Sequence, residues 1–93
     1  MKLNNIEIVL VEPRNGLLAF ASCVLNESFS LNSIAIHSKL DGSGYRLTYP
    51  MKNGRYLFYP LSKECSKTIE SELICEFKNV ITKNGRYSSF IAA

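Results

Sequence analysis

Apolar and polar positions alternate mainly with a period of two until Pro60 and then fall on a period near 3.6, so the chain divides into strands followed by a helix. IEIVLVE (6–12) is rich in β-branched residues. It runs into Pro13-Arg14-Asn15-Gly16, where Asn-Gly supplies the positive φ angles of a tight hairpin. LLAFASCVL (17–25) is apolar in both phases, which predicts a central strand covered on each side and closed by Asn26-Glu27-Ser28. In FSLNSIAIHS, Phe29 and Leu31 alternate in one phase while Ile34 and Ile36 alternate in the other. An extra residue near Asn32 or Ser33 must reset the register, and a β-bulge is expected there.

LDGSG (40–44) is a loop by its glycines, and YRLTYP sets residues 45, 47 and 49 against Arg46 and Thr48. Pro50 ends this fourth strand because it cannot donate to a ladder. RYLFYP (55–60) then resumes the β pattern as far as Pro60, which makes KNGRY at 52–56 a hairpin tip. Asn53-Gly54 turns the chain, with Lys52 and Arg55 at the base. Beyond Pro60, Cys65, Ile69, Leu73, Phe77, Val80 and Ile81 form one stripe of an amphipathic helix. Ser62 is placed to cap its start, and Glu64 suits the positive end of the helix dipole. KNGRY returns at 83–87, where Lys83 falls in the last turn and Gly85 just past it, the pattern of a helix C-cap. Both copies answer one need, a backbone that must reverse or stop.

The expected architecture is α+β: about five antiparallel strands followed by one long amphipathic helix over one sheet face. A single domain would span 1–82, and the tail 83–93 is apolar enough to add a strand or pack against a neighbour. An open sheet edge would pair readily with a second copy, giving a strand-paired dimer.

Composition narrows the function. At 93 residues and 46% apolar, the chain holds one core, and a domain this small gains from a partner subunit. No apolar run approaches the roughly 20 residues that span a bilayer. Asn4, Asn5 and Glu7 interrupt the leader-like start, so a soluble, cytoplasmic protein without membrane contact is expected. Cys23, Cys65 and Cys75 show no C-x-x-C spacing, which argues against disulfides and zinc and for reduced, small core residues. No metal and no cofactor are expected. The net charge of +3 is mild, but residues 42–63 carry Arg46, Lys52, Arg55 and Lys63 with no Asp or Glu.

Catalytic groups are sparse. His37, the single histidine, and nearby Asp41 have no nucleophile singled out beside them, so a solvated strand-end histidine is expected. Gly42 and Gly44 lack the third glycine and following helix of a phosphate cradle. Glu70, Glu72 and Glu76 belong to the helix's outer faces. What stands out is the interleaving of rings and cations in Tyr45, Arg46, Tyr49, Lys52, Arg55, Tyr56, Phe58 and Tyr59. Surface rings stack bases at roughly 1–3 kcal/mol each, and neighbouring cations neutralise phosphates. The plain alternative is strand-forming rings facing the core, with Arg and Lys stems laid over them.

The run GLLAFASCVLNESFSLNSIAIHSKLDGSGYRLTYPMKN, followed by YPLSKECSKTIESELICEFKNV, resembles the stage V sporulation protein G family of septation regulators over residues 5–82. Its most specific marks are A-x-A-S-x-x-L from Ala19 to Leu25, the strand-closing Pro50, and Pro60 before the helix. The resemblance implies a small bacterial cytoplasmic protein, dimeric through its strands, that binds DNA or RNA and regulates gene expression and division. The family's basic residues after the strand-closing proline and at the helix start match Lys52, Lys63 and Lys67. Pro50-Met51-Lys52-Asn53 has one cation fewer than the family's usual Pro-Ser-Lys/Arg-Arg run. The expectation is therefore a nonenzymatic regulator with no small-molecule substrate. Lys52, Arg55, Lys63 and Lys67 would contact phosphates with Arg46 in support, and Tyr49 or Tyr56 would stack. The alternative is a protein-interaction module that docks a partner through an exposed strand edge.

Overall fold

The computed structural model describes residues 2–84. Within them β1 (Leu3–Arg14), β2 (Leu17–Leu25), β3 (Phe29–Ser38) and β4 (Tyr45–Thr48) form an antiparallel sheet in chain order. The short strands β5 (Met51–Lys52) and β6 (Arg55–Tyr56) make a separate ribbon, and α1 (Lys63–Asn84) follows. The α+β class and the strands-then-helix order are as expected.

Local chemistry sets the sheet's corners. Asn15 and Gly16 have φ of 52° and 89°, the pair of left-handed residues that a type I′ turn needs between Arg14 and Leu17. The bulge falls where the apolar phase changes: Asn32 and Ser33 together oppose Ser22, between the pairs Ala21↔Ile34 and Cys23↔Leu31. Ser33 takes φ 63° to make room, which is what lets Leu31 and Ile34 both reach the core. A second register shift on β2, between Leu17 and Ala19, turns both Leu18 and Ala19 inward.

The core lies between this sheet and the helix stripe. Ile69, Leu73, Phe77 and Ile81 are buried against Leu3, Leu18, Ala19, Ala21, Cys23, Ile34 and Ile36. Alanine and cysteine at alternate positions of β2 keep the central strand's inner face low. The helix begins where its cap predicts: the Cys65 N–H donates to Ser62 Oγ at 3.0 Å. Lys83 lies in its last turn. Gly85 and the rest of the second KNGRY copy, like the strand or packing role expected of the tail, lie outside the described residues.

Four expectations are corrected. RYLFYP does not continue as a strand to Pro60. The ribbon closes when the Leu57 N–H donates to the Pro50 carbonyl at 2.8 Å, after which Phe58 turns edge-on to Tyr49 and Pro60 offers no donor. Among the described residues β2 is central but covered on one face only: Phe20, opposite Val9, is 38% exposed and Val9 61%. β1 is longer than 6–12, continuing through a register shift at Asn5, whose φ is 51°, to the buried Leu3. All three cysteines are free, yet only Cys23 is buried, with Cys65 half-buried and Cys75 exposed. No helix among the described residues is long and apolar enough to cross a membrane.

Candidate functional site

The ribbon is built by its turn. Asn53 and Gly54 adopt φ of 53° and 78°, again a type I′ pair, and this sets Lys52 directly opposite Arg55 and Met51 opposite Tyr56. Directly opposed residues share one face of a two-stranded ribbon, so both cations project from the same side. Like charges in that relation repel, so the pairing does nothing for the fold. Every residue from 51 to 57 is exposed, and this carries Lys52 and Arg55 into water.

The other cations are placed differently. Lys63 and Lys67 occupy the first turns of α1, both exposed, one loop away from the ribbon. Arg46 is exposed too, but it alternates with Tyr45 and Leu47, which pack on the core, and so it belongs to the sheet face away from the helix. The structure thus brings Lys52 and Arg55 together, sets Lys63 and Lys67 on the neighbouring element, and leaves Arg46 on the sheet face away from the helix.

The rings divide as well. Tyr45 packs edge-on against Phe77 with centroids 5.1 Å apart, and Tyr49 meets Phe58 the same way at 5.9 Å. For these the core-facing alternative holds. Burial pushes the Tyr49 hydroxyl pKa up to about 12, with Cys65 and Glu70 adding to it. Tyr56 is 52% exposed and touches Tyr59, also exposed, at 5.5 Å. Of the two expected stacking rings, Tyr56 presents itself to solvent and Tyr49 is half-buried.

His37 is not a solvated strand end. It is half-buried, its Nε2 hydrogen-bonded to Thr48 Oγ1 at 2.9 Å, and its Nδ1 is sealed from water without a hydrogen-bond partner among the described residues. Burial, then the Arg46 charge, hold its pKa below the usual histidine value. Asp41 is engaged elsewhere, accepting the Ser43 N–H at 2.9 Å; the Ser43 hydroxyl, and then that N–H, lower its pKa. No group of three or more metal-ligating side chains occurs among the described residues.

Sequence reasoning missed an apolar slot of about 310 Å³ between the segment 58–62, the β2–β3 corner and the start of α1, walled by Leu25, Leu31, Tyr49, Phe58, Leu61 and Cys65 among others. Its signal was present in YLFYPL, a run with more apolar bulk than a two-residue strand can bury. No protein-family model matches the chain, and no curated protein matches it.

Proposed function

We propose that this protein is a nonenzymatic, cytoplasmic nucleic-acid-binding regulator, acting as a homodimer. The observation that carries the reading is the opposed pair Lys52 and Arg55 on an exposed ribbon: a like-charge pairing that folding does not explain and a polyanion would relieve. Lys63 and Lys67 extend the cationic surface onto the first turns of the helix. Tyr56, next after Arg55 and so on the ribbon's other face, offers an exposed ring for stacking. Recognition by such a surface is mainly electrostatic and modest in sequence preference, since phosphate contacts position a protein without reading bases. The resemblance to the stage V sporulation protein G family supports the same reading, on the strength of Ala19 to Leu25, Pro50, Lys52 and Pro60. The test is fluorescence anisotropy with labelled single- and double-stranded oligonucleotides at fixed low salt. A Lys52→Glu, Arg55→Glu double variant should bind far more weakly than wild type. Unchanged affinity would remove the ribbon from the interface.

A second reading rests on a different feature. β1 is a 12-residue edge strand whose one ladder neighbour among the described residues is β2, so its outer backbone groups suit strand addition by a protein partner or a second copy. Purification with and without nuclease separates the two: partners retained after nuclease favour strand addition.

A further inference from the structure

The ribbon has two unlike faces. Lys52 and Arg55 are directly paired, and so are Met51 and Tyr56. Successive residues of a strand point to opposite sides, so the cations share one face while the thioether and the ring share the other. Tyr59 joins the second face, its ring centroid 5.5 Å from that of Tyr56 and its plane tilted by 54°. Met51, Tyr56 and Tyr59 are 55%, 52% and 57% exposed, so each keeps more than half of its surface in water. Large apolar side chains gathered in water mark a binding surface, and exposed ring faces suit the faces of bases.

A duplex cannot use both faces. Its bases are stacked inside, and its grooves offer polar edges that a thioether and the flat sides of tyrosine rings match poorly. It is also stiff over about 150 base pairs, whereas the two strands of the ribbon lie about 4.8 Å apart, so a duplex resting on the cations does not bend round to the rings. A single strand turns freely and can splay out its bases. We propose that the ribbon selects single-stranded nucleic acid, with phosphates on Lys52 and Arg55 and, where the strand folds over the ribbon's edge, a base stacked on Tyr56 and flanked by Met51 and Tyr59. This rests on the nucleic-acid reading above and deepens it by naming the form of the ligand. Charge alone favours the opposite choice, because a duplex carries about one charge per 1.7 Å of its axis. A preference for the single strand therefore reports on the rings.

The test is fluorescence anisotropy of the full chain at one low salt, with a labelled mixed-sequence strand that does not pair with itself and with the same strand annealed to its complement. NMR of the Met51 methyl and Tyr56 ring protons runs beside it. The single strand should bind at least about tenfold tighter. Tyr56→Ala should lower its affinity at least about fivefold, the small end of what one stacked base contributes, while duplex affinity and the salt slope stay as in wild type and Tyr56→Phe keeps the preference. Should alanine loosen the ribbon by removing the Tyr59 contact, both affinities fall together, and the wild-type spectrum then decides. Stacking should move the Met51 methyl and Tyr56 ring protons upfield with the single strand and leave them in place with the duplex. Equal or tighter binding of the duplex, or unmoved Met51 and Tyr56 resonances on saturation with the single strand, overturns the inference and leaves the nucleic-acid reading standing. Binding of neither oligonucleotide at millimolar protein ends both.

Discussion

Replacing Gly54 with valine isolates the ribbon's turn from everything around it. Gly54 has φ +78°, and a Cβ at that position would meet nothing within 4 Å, so the cost is torsional rather than steric. Holding a residue with a Cβ in the left-handed region costs about 1–2 kcal/mol, and β-branching makes it worse. The ribbon has little to set against that. It consists of two residue pairs, the Leu57 to Pro50 hydrogen bond, with a net value of about 1 kcal/mol, and the Tyr56–Tyr59 contact. A lone two-stranded hairpin is marginal even without the added strain. One or two kcal/mol is a factor of about 5–30 in an opening equilibrium. Native-state hydrogen exchange should therefore show the Leu57 amide losing protection by about that factor, while Ile34, Ile36 and Leu73 in the helix–sheet core keep theirs. Gly54→Asn, which tolerates a positive φ, should change much less. Nucleic-acid affinity should drop with the valine variant although no charge is lost, since the two cations no longer stand opposed. Unaltered Leu57 protection, or equal losses at Leu57 and Leu73, would refute the view that the ribbon is a separate, turn-dependent unit.

Other consequences concern the core, the helix start and two titrating groups. Phe77→Ala removes a fully buried ring and its edge contact with Tyr45, so urea denaturation should show a loss of about 3–5 kcal/mol, enough to leave much of a domain this small unfolded. Ser62→Ala should cost about 1 kcal/mol by leaving the Cys65 N–H without its cap, again read by urea. His37 has a folded pKa below its unfolded one, so the fold favours the neutral ring. Its contribution to stability is present above the unfolded value of about 6.5 and is lost as pH falls through the folded one. An NMR titration of its ring protons should give a midpoint under that of a free histidine, moved upward by Arg46→Ala. Tyr49 behaves in the opposite sense, its folded pKa being pushed up to about 12: stability should fall as pH rises from about 10 to about 12, and Tyr49→Phe should flatten that fall in alkaline melts.

Much of the fold is legible in the sequence because it is set by near neighbours. The phase change between Leu31 and Ile34 locates the bulge, and Asn15-Gly16 and Asn53-Gly54 each locate a type I′ turn. Ser62 with the four-residue spacing of Ile69, Leu73 and Phe77 locates the helix and its buried face. What escapes depends on distant contacts. The apolar second phase of β2 suggests two covered faces, but Phe20 and Val9 stay exposed, with no second layer over them among the described residues. The rings from Tyr45 to Tyr59 look alike on paper; register and the drop of Phe58 onto Tyr49 send some inward and leave Tyr56 and Tyr59 outside. The same drop opens the slot, whose place the apolar run YLFYPL does not fix by itself. His37 looks like a strand end in water until Thr48, eleven residues on, is folded beside it. Of the candidate site, the hairpin with Lys52 opposite Arg55 is readable from KNGRY itself. The placing of Arg46 on the sheet face away from the helix is not, because it follows from which phase of β4 meets the helix.

The central claim, that an exposed cationic ribbon and helix start hold a polyanion, is tested most directly by the salt dependence of oligonucleotide binding. With Lys52, Arg55, Lys63 and Lys67 each neutralising one phosphate, a log-log plot of affinity against salt should fall with a slope of about 2.8 on a single strand and about 3.6 on a duplex. The Lys52→Glu, Arg55→Glu variant should show at most about half that slope. Binding indifferent to salt, or the same slope in both proteins, would contradict the account.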